Sequence, residues 1–169
     1  YATDLDGDGD TDVLSASALD DTIAWYENDG RANPSFTERT ITTLADGPPS
    51  VYATDLDGDG DTDVLSASQL DDTIAFYRNG DATSGNGDGT SWTETEITTA
   101  ADGARIVYAT DLDGDGDQDV LSASYDDNTV AWYENRRISG PQLTVPPRLT
   151  TTQPTFTDAS GDNRLTAGE

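Results

Sequence analysis

Short apolar, β-branched runs alternate with dense acidic stretches along this chain. In VYATDL, Val51 and Ala53 fall on one face and Tyr52 and Thr54 on the other, the period-two pattern of a half-buried strand. DVLSAS, TIAWYEN and FTERTITT have the same short, Val/Ile/Thr- and aromatic-rich character. Together they predict a unit of four short strands. Asp20 and Asp21, Asp71 and Asp72, and Asp126 and Asp127 lie between the second and third strands. There the pattern predicts a tight turn, since Asp side chains bond nearby backbone N–H groups.

The unit repeats. YATDLDGDGDTDVLSAS starts at Tyr1 and again at Tyr52, and YATDLDGDGDQDVLSAS starts at Tyr108. DDTIAWYEN, DDTIAFYRN and DDNTVAWYEN follow in turn, and FTERTITTLADG and WTETEITTAADG follow the first two. The period from Asp4 to Asp55 is 51 residues and that from Asp55 to Asp111 is 56. The five extra residues fall in DATSGNGDGTS, read as a lengthened surface loop. The expected fold is therefore all-β: tandem four-stranded antiparallel blades, propeller-like, with an extended C-terminal tail. Trp25, Phe76 and Trp132 hold one equivalent position and are expected to pack between adjacent blades. A sugar-stacking role is their alternative.

Three repeats cover residues 1–135, divided at about 1–50, 51–106 and 107–135. Residues 136–157 are Pro/Thr-rich and read as linker or edge strand, since the third repeat has no clear copy of the fourth strand. Three blades fall short of the four to eight that close a ring. The chain is thus expected to be part of a larger propeller, or a subunit that completes its sheets with neighbours.

Charge sharpens this picture. The formal net charge is -26, with 34 acidic residues against 8 basic ones. Such a surface excludes nucleic acid as a partner, and no apolar stretch is long enough for membrane insertion. The acid is not a disordered tract, because 15 of the 34 acidic residues occupy three short loops with fixed spacing. The chain has no Cys and no His, which removes disulfides, thiolate sites and the commonest general base. Acid clusters that recur three times argue for structure, since catalytic sites are normally singular. No residue is assigned a catalytic role, and the chain is not expected to be an enzyme.

The loops carry the candidate chemistry. Asp55, Asp57, Asp59, Asp61 and Asp63 stand at loop positions one, three, five, seven and nine. Five carboxylates so close repel one another without a counter-ion. Calcium takes six to eight oxygen ligands in flexible geometry, which suits this spacing better than magnesium does. Positions one, three, five and nine are expected to ligate by side chain and position seven by backbone carbonyl. Gly58 and Gly60 allow the backbone such a turn needs. The same roles fall on Asp4, Asp6, Asp8, Asp10 and Asp12, and on Asp111, Asp113, Asp115, Asp117 and Asp119. Residues 158–169 hold a fourth candidate, an EF-hand-like acidic loop with Asp158, Ser160, Asp162, Arg164 (by carbonyl) and Glu169 as ligands. A plain polar turn is its alternative.

DLDGDGDTDVL resembles the calcium loop of the FG-GAP and VCBS repeats, which build integrin α-subunit propellers and many surface proteins. The resemblance covers roughly residues 1–135. It implies that each loop joins the first two strands of a blade and that the ion stiffens the hairpin. The expected function is an extracellular or cell-surface, calcium-stabilised structural or adhesive repeat protein. Self-association, or assembly with other subunits, into a fibre or surface layer is expected. The alternative is a glycan- or protein-binding propeller module of a larger secreted protein.

Overall fold

The computed structural model describes residues 1–80 and 87–136, and the backbone of one further strand at 148–152. Its regular structure is all β, in three antiparallel four-stranded meanders. The first sheet comprises β1 (Ala2–Thr3), β2 (Asp12–Ser17), β3 (Thr22–Asn28) and β4 (Phe36–Thr42). The second comprises β5 (Ser50–Thr54), β6 (Asp63–Ser68), β7 (Thr73–Asn79) and β8 (Trp92–Thr98). The third comprises β9 (Ala104–Thr110), β10 (Asp119–Ser124), β11 (Thr129–Arg136) and β12 (Arg148–Thr152). Strands follow one another in chain order within every sheet. β12 lies inside the stretch read as linker or edge strand, and it supplies the third sheet's fourth strand by pairing with β11 from Trp132↔Thr152 to Arg136↔Arg148.

Side-chain alternation places the cores between sheets. Leu5, Leu14, Ile23 and Trp25 of the first repeat pack with Ala53, Val64, Ala75 and Tyr77 of the second. One repeat along, Leu56, Leu65, Ile74 and Phe76 meet Ala109, Val120, Ala131 and Tyr133. The same four positions thus face forward in each repeat, and the same complementary positions face back. Trp25 and Phe76 are almost wholly buried, as their position in the third strand led one to expect. Burial of such a ring contributes about 1.5–3 kcal/mol. The first strands lie side by side, so that Tyr52 contacts Tyr1 at 5.2 Å and Tyr108 at 4.7 Å between ring centroids.

The turns between second and third strands take the expected form. Asp21, Asp72 and Asn128 sit at φ of 57°, 59° and 54°, the left-handed region that Asp and Asn tolerate best after Gly. The third copy is offset by one residue, because Asn128 rather than Asp127 occupies that position. Asp21 and Asp72 also reach beyond their own turn: each accepts a hydrogen bond from the glycine N–H before the next sheet, Gly47 at 3.0 Å and Gly103 at 2.8 Å.

Candidate metal centres in the acidic loops

Each acidic loop joins the first strand of a sheet to the second. The loops are closed by the pairs Thr3↔Asp12, Thr54↔Asp63 and Thr110↔Asp119. Within each, carboxylates fold back on backbone N–H groups. Asp4 accepts from Gly7 (2.8 Å) and Gly9 (3.0 Å), and Asp111 from Gly114 (2.7 Å) and Gly116 (3.1 Å). Asp8 accepts from the Asp10 N–H, Asp59 from that of Asp61 and Asp115 from that of Asp117, at 2.9–3.0 Å. The second glycine of each loop has a φ of 96–101°, which an L side chain rarely adopts.

This wrapping gathers three carboxylates per loop with one oxygen each inside 4.8 Å of the others. They are Asp4, Asp6 and Asp8; Asp55, Asp57 and Asp63; and Asp111, Asp113 and Asp115. Nine of the fifteen expected loop aspartates are thus brought together. The ninth position enters the cluster only in the middle loop.

That ninth aspartate has a different, common job. Asp12, Asp63 and Asp119 are all but fully buried. One oxygen of each accepts the N–H of the leucine at loop position two: Leu5 (2.8 Å), Leu56 (3.0 Å) and Leu112 (3.0 Å). The other accepts the N–H of the last strand-three asparagine: Asn28 (2.9 Å), Asn79 (2.9 Å) and Asn135 (2.8 Å). This carboxylate ties the loop to the far side of its own sheet. The asparagine then ties sheet to sheet, since Asn79 donates to the Leu5 carbonyl at 2.7 Å and Asn135 to the Leu56 carbonyl at 2.9 Å. The repeated Asn, sixteen residues after the ninth Asp in every copy, was the signal that sequence reasoning passed over.

In the first two loops the position-seven carboxyl lies against a glycine of the third-to-fourth-strand loop. Any Cβ at Gly30 would lie 1.9 Å from an Asp10 oxygen, and one at Gly87 would lie 2.2 Å from the Asp61 carboxyl carbon. Those glycines leave room for the two carboxyls beside the third-to-fourth-strand loop. The tail ligands Asp158, Ser160, Asp162, Arg164 and Glu169 lie outside the described residues.

Electrostatically, the clusters concentrate like charge, which Arg78 partly balances in the middle loop. Burial, and then the neighbouring carboxylates, push the Asp6 and Asp113 carboxyls above the usual range. Asp57 is pushed up likewise by burial and by Asp59, although Arg78 opposes the shift. Burial raises Asp63 to about 7. Burial and like charge disfavour the ionised form of such a group, and a bound cation favours it. The donor set is oxygen only, which suits a hard cation. Asp55 Oδ1 is buried in the middle cluster with no hydrogen-bond donor among the described residues, so one lone pair there has room for a further partner.

The sequence pattern of the FG-GAP-like repeat family matches this chain three times, over residues 4–66, 55–122 and 111–165. The chain belongs to that family. The three FG-GAP-like matches overlap, and each starts on the first aspartate of a loop, Asp4, Asp55 or Asp111. The third runs past Asn135, through β12 and beyond. No curated protein and no solved structure matches the chain. No helix among the described residues is long and apolar enough to cross a membrane.

Proposed function

We propose that this FG-GAP-like chain is a non-catalytic, extracellular structural or adhesive repeat protein. Calcium stabilises its loops, its sheets stack as propeller-like blades, and it assembles with neighbouring subunits into a fibre or surface layer. Asp4, Asp6 and Asp8, with their counterparts in the other two loops, would hold the ions. When bound, an ion supplies the positive charge that lets alternate carboxylates lie together. Three such ions would bring the net charge from -26 to -20. The near-millimolar calcium of extracellular fluid suits weak, rigid sites of this kind.

The observation that carries the assembly is the uncovered forward face of the third sheet. Leu112 is 49% exposed and Val130 is 50% exposed, whereas their counterparts Leu5, Leu56, Ile23 and Ile74 are at most 1% exposed. The Trp25 indole N–H donates to the Gly89 carbonyl of the next repeat, whereas the buried Trp132 indole N–H has no acceptor among the described residues. At the opposite end, Val13 is 40% exposed where Val64 and Val120 are fully buried. The two outer faces are thus complementary, and a neighbouring subunit or a further repeat of the same kind would cover them.

Sedimentation velocity and negative-stain microscopy in calcium test this reading. The expected result is higher oligomers or filaments, with Val130→Asp remaining monomeric. A monomer in calcium that binds a glycan array would instead favour the ligand-binding alternative. The exposed Tyr1 and Tyr108 rings flanking Tyr52 are the feature that supports that second reading.

A further inference from the structure

We infer that Arg78 makes the middle loop the weakest of the three calcium sites, by supplying a tethered cation of its own. The inference rests on the calcium reading of the loops. It concerns how the three sites differ.

The sixth residue of the third strand differs between the repeats. It is Glu27 in the first and Glu134 in the third, but Arg78 in the second. Arg78 Nε lies 2.7 Å from Asp57 Oδ2, and Nη2 lies 3.0 Å from Asp59 Oδ2. The Asp57 side chain is 7% exposed and that of Arg78 25%, so this pair is less open to solvent screening than a surface ion pair. Two of the expected side-chain ligands, positions three and five, are thus already paired with a cation.

The donor set is different as well. In the outer loops the gathered carboxylates come from positions one, three and five, but in the middle loop position five is replaced by nine, Asp63. The fifth-position carboxylate, Asp59, is the one on Arg78 Nη2. The outer repeats have a carboxylate at this position instead. Glu134 adds to the negative charge acting on Asp113 and is itself paired with Arg136 at 2.7 Å, while Glu27 is paired with Arg39 at 2.7 Å. An ion entering the middle loop with the outer loops' donors must therefore displace Arg78 from two carboxylates. An ion entering the outer loops displaces no such group among the described residues. The middle sheet, packed on both faces, consequently keeps its loop charge partly balanced when calcium is low.

Calorimetric calcium titration of the full chain, with bound ions counted by equilibrium dialysis, tests this. Among the three loops, the expected result is two ions of similar affinity and a third at least about tenfold weaker, since ligand charge tunes such sites. Asp57→Asn should abolish only the weak ion. Arg78→Glu, which copies the flanking repeats, should bring the third ion to within about threefold of the others. Arg78→Gln, which removes the charge without adding one, should fall between and serves if the glutamate variant does not fold. Three loops of equal affinity in the native chain, or a weak class that persists in both Arg78 variants, would overturn the inference alone. Absence of any bound calcium in native and variant chains would overturn the calcium reading with it.

Discussion

Asp63→Ala removes the clamp of the middle loop together with one of its three gathered carboxylates. The substitution leaves two buried donors, the Leu56 N–H at 3.0 Å and the Asn79 N–H at 2.9 Å, without their acceptor. Each buried donor so orphaned costs about 1–3 kcal/mol, which gives about 2–6 kcal/mol in all. In metal-free protein at neutral pH, relief of the carboxylate's own burial works in the other direction, because its pKa is raised to about 7. The full loss is therefore expected at saturating calcium, and a smaller one in chelator. Asp59→Ala is the control. Its carboxylate accepts the exposed Asp61 N–H and pairs with Arg78, so its removal in chelator should cost about 1 kcal/mol or less. Urea unfolding of the native chain and both variants, with calcium and with chelator, reads these differences directly. A loss below about 1 kcal/mol for Asp63→Ala in calcium would refute the clamp, since one orphaned buried donor already exceeds that.

Other outcomes follow from the same geometry. Phe76→Ala should destabilise the protein by about 3–5 kcal/mol, and Trp132→Ala by distinctly less, because only the first ring is enclosed by a following sheet; chemical denaturation compares them. Metal-free protein should lose stability as pH rises from about 4 to about 7, since folded Asp63 binds its proton over that window and an unfolded aspartate does not. Asp6, Asp12 and Asp57 are raised in the same direction, and urea midpoints at pH 5 and 7.5 in chelator would report the slope. Saturating calcium should flatten or reverse it.

Much of this arrangement was legible in the sequence because its determinants are local. Alternation within VYATDL and the β-type composition of DVLSAS marked the strands, and the aspartate spacing located all three loops. The third sheet's outer strand was obscure because Arg148–Thr152 shares no apolar pattern with Phe36–Thr42 or Trp92–Thr98. Spacing alone also made five aspartates look equivalent. Their division into gathered carboxylates, a side chain turned toward Gly30 or Gly87, and a buried clamp arises from contacts made across the sheet. Arg78 was visible as a break in the Glu-Asn ending of the third strand, but its meaning depended on seeing where that side chain lands.

The central claim is that divalent calcium, held among the loop aspartates, stabilises the folded sheets. Thermal unfolding of the full chain in millimolar calcium and in excess chelator tests it most directly. Two or more sites filled to a hundred times their Kd should raise Tm by about 10–20 °C, reversibly. Superimposable melting curves under the two conditions would contradict the account.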